Sequence, residues 1–483
     1  MPRNHPALLL IASLACAQLP LIAAPVLAQS SQISSKQDEV GGVYEGTFKG
    51  GLQHGQGTYR LPDGYEYSGE WFEGEIRGQG VARFVNGSVY EGEFAKGKPE
   101  GLGKITYTDG GTYGGEWSDG EINGQGVAIY ANGVRYDGQF LNARQHGRGV
   151  MMMPNGYSYD GDWVEGRKEG NARITYGTGA VYEGAIKGGE LHGQGKLTLP
   201  DGLVYEGDWA DGQMTGTGRL TQPNGDIYDG PLVDGRRQGT GRLAYANGDV
   251  YEGDFVDGLR EGQGTFRGAD GYVYHGQWKG GQIHGKGEVT YANGSIYEGE
   301  FQDDLPHGTG RITYADGGTY EGEWKAGMID GTGVATYPNG VTYSGDFKGA
   351  KFDGVGTMTY ADGYRYEGDW RDGLREGQAK VVYADGSVYD GAFVAGQRQG
   401  TGTVTMPDGF VYEGEWAEGK ISGEGVARYA NGDVYTGTFV ESKRQGPGTM
   451  RYASGQEATG LWDDGALTSG RAGEQTPEQP ISE

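Results

Sequence analysis

A tyrosine recurs every 23 residues, from Tyr44 through Tyr67, Tyr90 and Tyr113 to Tyr412 and Tyr435, without an insertion or deletion. With that tyrosine as position 1, each unit reads Tyr-x-Gly-x-aromatic and then carries glycine at positions 8, 12, 14 and 21. A fixed period of this length marks an array in which each unit buries its apolar face only against its neighbours. The period sets the fold class and argues against an enzyme, because the chain from Tyr44 to Gly465 is committed to the same frame.

One unit shows how the frame makes structure. Tyr251, Gly253 and Phe255 alternate with Glu252 and Asp254, the period of a strand with one packed and one wet face. A loop is expected around Gly258 and Gly262, followed by a second strand with Gly264 and Phe266 on one face. Asp270-Gly271 then turns the chain into Tyr274, and nearly every unit has Asp-Gly or Asn-Gly here, the residues that accept the positive φ angles of a tight hairpin turn. Glycines at positions 3 and 14 should lie beneath the aromatic rings, where a side chain would lift the rings off the sheet. The fold expected is all-β: an elongated single layer of antiparallel β-hairpins with a 23-residue period and no helical domain. At about 4.8 Å between strands, each two-stranded unit adds roughly 10 Å.

The aromatics Tyr44, Tyr67, Trp71, Tyr90, Trp117, Tyr251, Trp278, Trp324, Trp370 and Trp416 are therefore read as structural. All nine tryptophans sit at position 5, where Trp and Phe alternate except at a seam through Ile186, Trp209, Leu232 and Phe255. That alternation points to a doubled unit copied as a block. Core packing is the plain reading of these rings, and ligand stacking its rival.

The array is expected over residues 44–465, about 18 full repeats and a degenerate last one in which Ala458 replaces the tyrosine. Residues 466–483 read as a disordered tail and 29–43 as a polar linker. Residues 1–28 read as a signal peptide, from the apolar run Ala7–Ala17 and the small-residue site Val26-Leu27-Ala28. A lipobox ending at Cys16 is a weaker alternative, since Ser13 stands where leucine is wanted. The expected setting is an exported one, periplasmic or secreted, peripheral to the membrane of a bacterial cell envelope. Cys16 is the only cysteine, so disulfides and zinc thiolates are absent from the array. The net charge of −26 disfavours nucleic acid, which needs a basic surface.

Tyr297-Glu298-Gly299-Glu300-Phe301, running to Tyr314-Ala315-Asp316-Gly317, resembles the consensus of the MORN (membrane occupation and recognition nexus) repeat, and the resemblance covers about Tyr44 to Gly465. It implies an array of β-hairpins used in scaffolding, dimerisation and attachment near membranes. MORN arrays also adjoin catalytic domains in some proteins, but no such domain has room here.

No catalytic, cofactor or metal site is read from the sequence. His54, His146, His192, His284 and His307 share position 11, and only His284 and His307 fall in adjacent units. Gly280 to Lys286 imitates a phosphate-binding loop, but Gly287 stands where Ser or Thr should hold magnesium, and the setting is a hairpin. Lys98, Arg144, Arg167, Lys168, Arg236, Arg237, Arg260, Arg375, Arg398, Lys443 and Arg444 fall between positions 8 and 12. They are expected to project from loops along one edge and to form the candidate binding residues. Three function classes follow: a non-enzymatic scaffold for protein partners, a peripheral phospholipid binder acting through those cations, and a cell-wall or matrix glycan binder stacking sugars on exposed Tyr and Trp. Free strand edges at the two ends make an end-to-end homodimer a further expectation.

Overall fold

The computed structural model describes residues 33–472. The expected leader at 1–28 and the residues after 472 lie outside the described residues. The chain divides into two units, Met1–Arg167 and Lys168–Glu483. In the first, short strands such as Glu66–Phe72 alternate with longer ones such as Glu75–Arg83, each bonded antiparallel to the strand before and the strand after. The second repeats the plan, as in Val250–Val256 and Leu259–Arg267. The described residues contain no helix, in agreement with the all-β single-layer expectation.

Two kinds of turn join the strands, and both differ from the expectation. The short strand passes to the long one through two residues with positive φ, Asp257 at 49° and Gly258 at 86°. This is the primed turn whose twist suits a hairpin. The strand resumes at Leu259, so the loop expected to reach Gly262 ends at Gly258. Gly262 is a bulge inside the strand: Gly253 faces Gly264 but Phe255 faces Arg260, leaving Asp254 opposite Glu261, Gly262 and Gln263. The φ of Gly262, 65°, makes the bulge possible.

The other turn holds the Asp-Gly pair. The Gly268 amide donates to the Tyr272 carbonyl and the Gly271 amide to the Gly268 carbonyl, closing a three-residue loop. Only Gly271 takes a positive φ, 94°. Asp270 acts through its side chain instead, and its carboxylate accepts the Tyr272 amide at 2.9 Å. The tight primed turn expected at this pair is thus found at positions 7 and 8.

The core lies on one face. Tyr251 is fully buried, edge-on to Phe255 of its own unit at 5.2 Å and to Trp278 of the next at 5.1 Å. Its ring covers the glycines below. A Cβ on Gly253 would come within 2.5 Å of the Gly264 Cα, and one on Gly264 would strike the Tyr251 ring. All nine tryptophans are buried, and Trp278 ties adjacent units together by donating from Nε1 to the Gly264 carbonyl at 3.3 Å.

Both ends carry strands where none was expected. Ser34–Gln37 pairs with the strand Val43–Lys49 inside the segment read as a linker. Ala466–Ala472 pairs with Glu457–Asp463, so the segment read as a disordered tail begins as a strand.

Candidate functional site

Side chains at positions 2, 4, 13 and 15 point away from the rings and build the polar face. Between the row at positions 2 and 15 and the row at 4 and 13, the backbone of the glycines forms a floor. In the second unit this makes a groove of about 970 Å³, floored by Gly310, Gly322, Gly333 and Gly345. Glu298, Arg311 and Glu321 stand along one wall, and Thr309 and Thr332 along the other. A second hollow, lined by Lys286, Gly287, Glu298, Gly299, Glu300 and Thr309, continues it toward the N-terminus.

Charge along this face follows from strand register. Each position 15 stands opposite position 2 of its own unit and of the next. Over residues 173–252 opposite charges meet: Arg173 with Glu183 at 2.9 Å, Arg219 with Asp229 at 3.6 Å, and Arg242 with Glu252 at 3.3 Å. At the groove this balance fails. Glu288 is directly opposite Glu298, and Arg311 faces Glu298 on one side and Glu321 on the other. Like charges directly opposite are destabilising, so this rung presents carboxylate that a cationic group would relieve. No sequence motif marks it; reading position 15 against position 2 of the next unit would have found it.

The eleven cations do not gather into one patch. Lys98, Arg236 and Lys443, at position 9, face Asp119 at 2.7 Å, Asp257 at 3.7 Å, and Asp464. Arg144 and Arg167, also at position 9, are exposed. Lys168 is half-buried, and desolvation pulls its pKa down. The other five, at position 10, lie over aromatic rings, contrary to the expected projection from loops. The Arg260 guanidinium sits 4.1 Å from the Trp278 ring centre, and those of Arg398 and Arg444 sit 4.3 and 4.5 Å from Trp416 and Trp462. Arg237 and Arg375 lie 5.2 Å from Phe255 and Tyr366. Arg260 also donates to the Gly281 carbonyl at 2.6 Å. Other units place Ile122, Ile283 or Ile421 here, all buried, so these arginines are stems and planes that cover the core.

Position 11 has a role that sequence reasoning missed. Its side chain reaches the first turn of the next unit: Glu261 accepts the Gly280 amide at 2.7 Å, and Gln238 the Asp257 amide at 3.1 Å. His307 occupies the same place, with Nδ1 3.5 Å from the Ala326 amide. No group of three or more His, Cys, Asp or Glu among the described residues could hold a metal ion. No helix among them is long and apolar enough to cross a membrane.

Burial also shapes the tyrosines. It raises the pKa of Tyr90, Tyr113 and Tyr205 from 10.0 to about 12. Their hydroxyls donate to the backbone carbonyls of Glu93, Glu116 and Asp208.

Comparison with known proteins bears on the whole array. The MORN repeat family model matches eighteen consecutive segments, from residues 44–64 and 67–89 to 412–434 and 435–457. Rat (Rattus norvegicus) alsin is 44% identical over 52 residues, which is 10% of this chain and 3% of alsin. Among solved structures, the TCP domain of Drosophila melanogaster SAS-4, in complex with a proline-rich motif of Ana2, is 18% identical. It covers 37% of this chain and 85% of its own, with a TM-score of 0.20. The TCP10 domain of Danio rerio CPAP is 16% identical, covering 54% of this chain and 96% of its own, with a TM-score of 0.18.

Proposed function

The chain belongs to the MORN repeat family, and from that premise we propose that it is a non-enzymatic scaffold that takes protein partners along its polar face. The observation that carries this reading is the groove at residues 286–345, with its glycine floor and Glu298 on its wall, opposed across the strands by Glu288 beside the groove. Such a surface fits an extended segment with a Lys or Arg to place between the two carboxylates. Repetition adds strength, because weak contacts made along linked equivalent sites sum through effective concentration.

The phospholipid reading has less support. It needs free cations on one edge, and the structure commits most of them to carboxylates or rings. An exported, envelope-associated setting rests on the apolar leader Ala7–Ala17, and mapping the mature N-terminus tests it.

The function is tested by cross-linked capture from envelope extracts, comparing the wild-type chain with Glu298→Lys. A protein that survives detergent and high salt on the wild type, and is lost on the variant, supports the scaffold. Recovery of salt-labile lipid alone contradicts it.

A further inference from the structure

The face opposite the groove carries a second row of rings at positions 18 and 22. Unlike the tyrosines at position 1, they are not sealed: Tyr314, Tyr337 and Tyr452 are about two-fifths exposed, at 38–41%, and Tyr360, Tyr364, Tyr383, Phe410 and Tyr429 are half-buried. Tyr272 and Tyr291 pair at 6.1 Å. At one place the sequence puts three together beside two consecutive position-10 arginines. Tyr364 lies between Tyr360 at 5.2 Å and Tyr383 at 5.6 Å, with interplanar angles of 78° and 67°. One ring is thus a floor and its neighbours are walls. Arg375 lies 5.4 Å from the Tyr364 ring centre, and a hollow of about 580 Å³ opens here, with Asp362, Gln397 and Arg398 at its rim.

Two units further on, a similar hollow of about 630 Å³ is lined by Phe410, Tyr429, Met406 and Arg444, with Asp408 and Asp433. Phe410 and Tyr429 are 5.4 Å apart. Tyr364 and Phe410 both stand at position 22, so by strand spacing the two floors are roughly 20 Å apart on one side of the same sheet.

We propose that these two aromatic cradles are subsites for one linear, uncharged glycan. A sugar ring offers an apolar C–H face to stack on an aromatic ring and a rim of hydroxyls that both donate and accept. The cradles supply that pairing: an aromatic floor, Arg and Gln as donors, and Asp as acceptor. In the first hollow Arg375 and Arg398 are matched by Asp362 and Glu418, in the second Asp408 and Asp433 outnumber Arg444, and the chain carries a net charge of −26, so neither local nor long-range charge favours an acidic polymer. The position-1 Tyr and position-5 Trp rings, candidates for sugar stacking by sequence, are buried and unavailable. The glycan site is on the opposite face from the proposed protein groove and stands independently of it.

Isothermal titration calorimetry of the full chain tests the proposal, using linear hexasaccharides of β-1,4-linked glucose and of N-acetylglucosamine, their monosaccharides, and alginate. At least one hexasaccharide should bind more tightly than its monosaccharide and than alginate. Tyr364→Ala should weaken that binding about tenfold, the loss of one good aromatic contact. Tyr364→Phe should retain it, and so should Tyr337→Ala, which removes an exposed ring outside both cradles. No preference for any hexasaccharide, a preference for alginate, or equal losses from Tyr337→Ala and Tyr364→Ala would overturn the proposal.

Discussion

The hydroxyl of Tyr251 donates a 3.0 Å hydrogen bond to the carbonyl of Asp254, three residues along the same strand. Asp254 is the residue at which the ladder slips past Gly262, so the ring that covers the glycine pair also satisfies the carbonyl the bulge frees. The same bond recurs from Tyr67 to Glu70 at 2.9 Å and from Tyr412 to Glu415 at 2.9 Å. Tyrosine rather than phenylalanine at position 1 is thereby explained. Tyr251→Phe should cost about 1 kcal/mol, the net worth of one hydrogen bond. Tyr251→Ala should cost about 3–5 kcal/mol through the cavity it leaves. Urea unfolding of the two variants measures the difference.

The two glycines under each ring are not equivalent. A Cβ on Gly253 would press on backbone, the Gly264 Cα at 2.5 Å and the Gln263 carbonyl at 2.6 Å, whereas the three atoms nearest to one on Gly264 all belong to the Tyr251 side chain. The chain itself carries Ala172 and Ala379 at position 14 but no residue other than glycine at position 3. Gly253→Ala should therefore lower the urea midpoint more than Gly264→Ala. Equal losses would mean that the ring is as immovable as the backbone.

The position-10 arginines should behave as core cover. Arg260→Ile imitates the units that carry isoleucine there and should keep stability, while Arg260→Ser exposes the Trp278 ring and should cost about 1–2 kcal/mol. Arg236→Ala, at an exposed pair, should stay within about 0.5 kcal/mol. Thermal melts of the three variants check the order.

Alkaline pH should unfold the protein through its tyrosines. Burial holds Tyr90, Tyr113 and Tyr205 near 12, against 10.0 when exposed. The unfolded chain then loses protons first, so the stability these tyrosines contribute is intact below pH 10 and falls as pH rises from there toward 12. Tyrosinate absorbance and the β-sheet circular dichroism signal should change together in that window. Ionisation of the core tyrosines near pH 10, with the sheet signal unchanged, would contradict the burial account.

Much of the fold was legible because the period leaves no freedom. Alternation at Tyr251, Gly253 and Phe255 marked the strand, and the glycines marked the ring contacts. The turns were harder: Asp257-Gly258 and Asp270-Gly271 look alike in sequence, yet only the first is the primed turn. Telling them apart requires knowing which strand ends the bulge shortens. The cations misled for the same reason, since a strand that begins at position 9 points position 10 inward to the rings. The opposed Glu288 and Glu298 come from different units and meet only through register. That register is set by the three-residue turn in which the Tyr291 amide donates to the Ser295 carbonyl, and the two strands then pair without a slip from Thr290 back to Gly285.

The central claim is that partners occupy the glycine-floored groove. A photo-cross-linking residue placed at Thr309, on the groove wall, and separately at Tyr337, on the opposite face, tests it most directly. The account predicts that a captured protein partner cross-links from position 309 and not from 337. Cross-linking from 337 alone would place the protein-binding surface on the aromatic face and contradict the account.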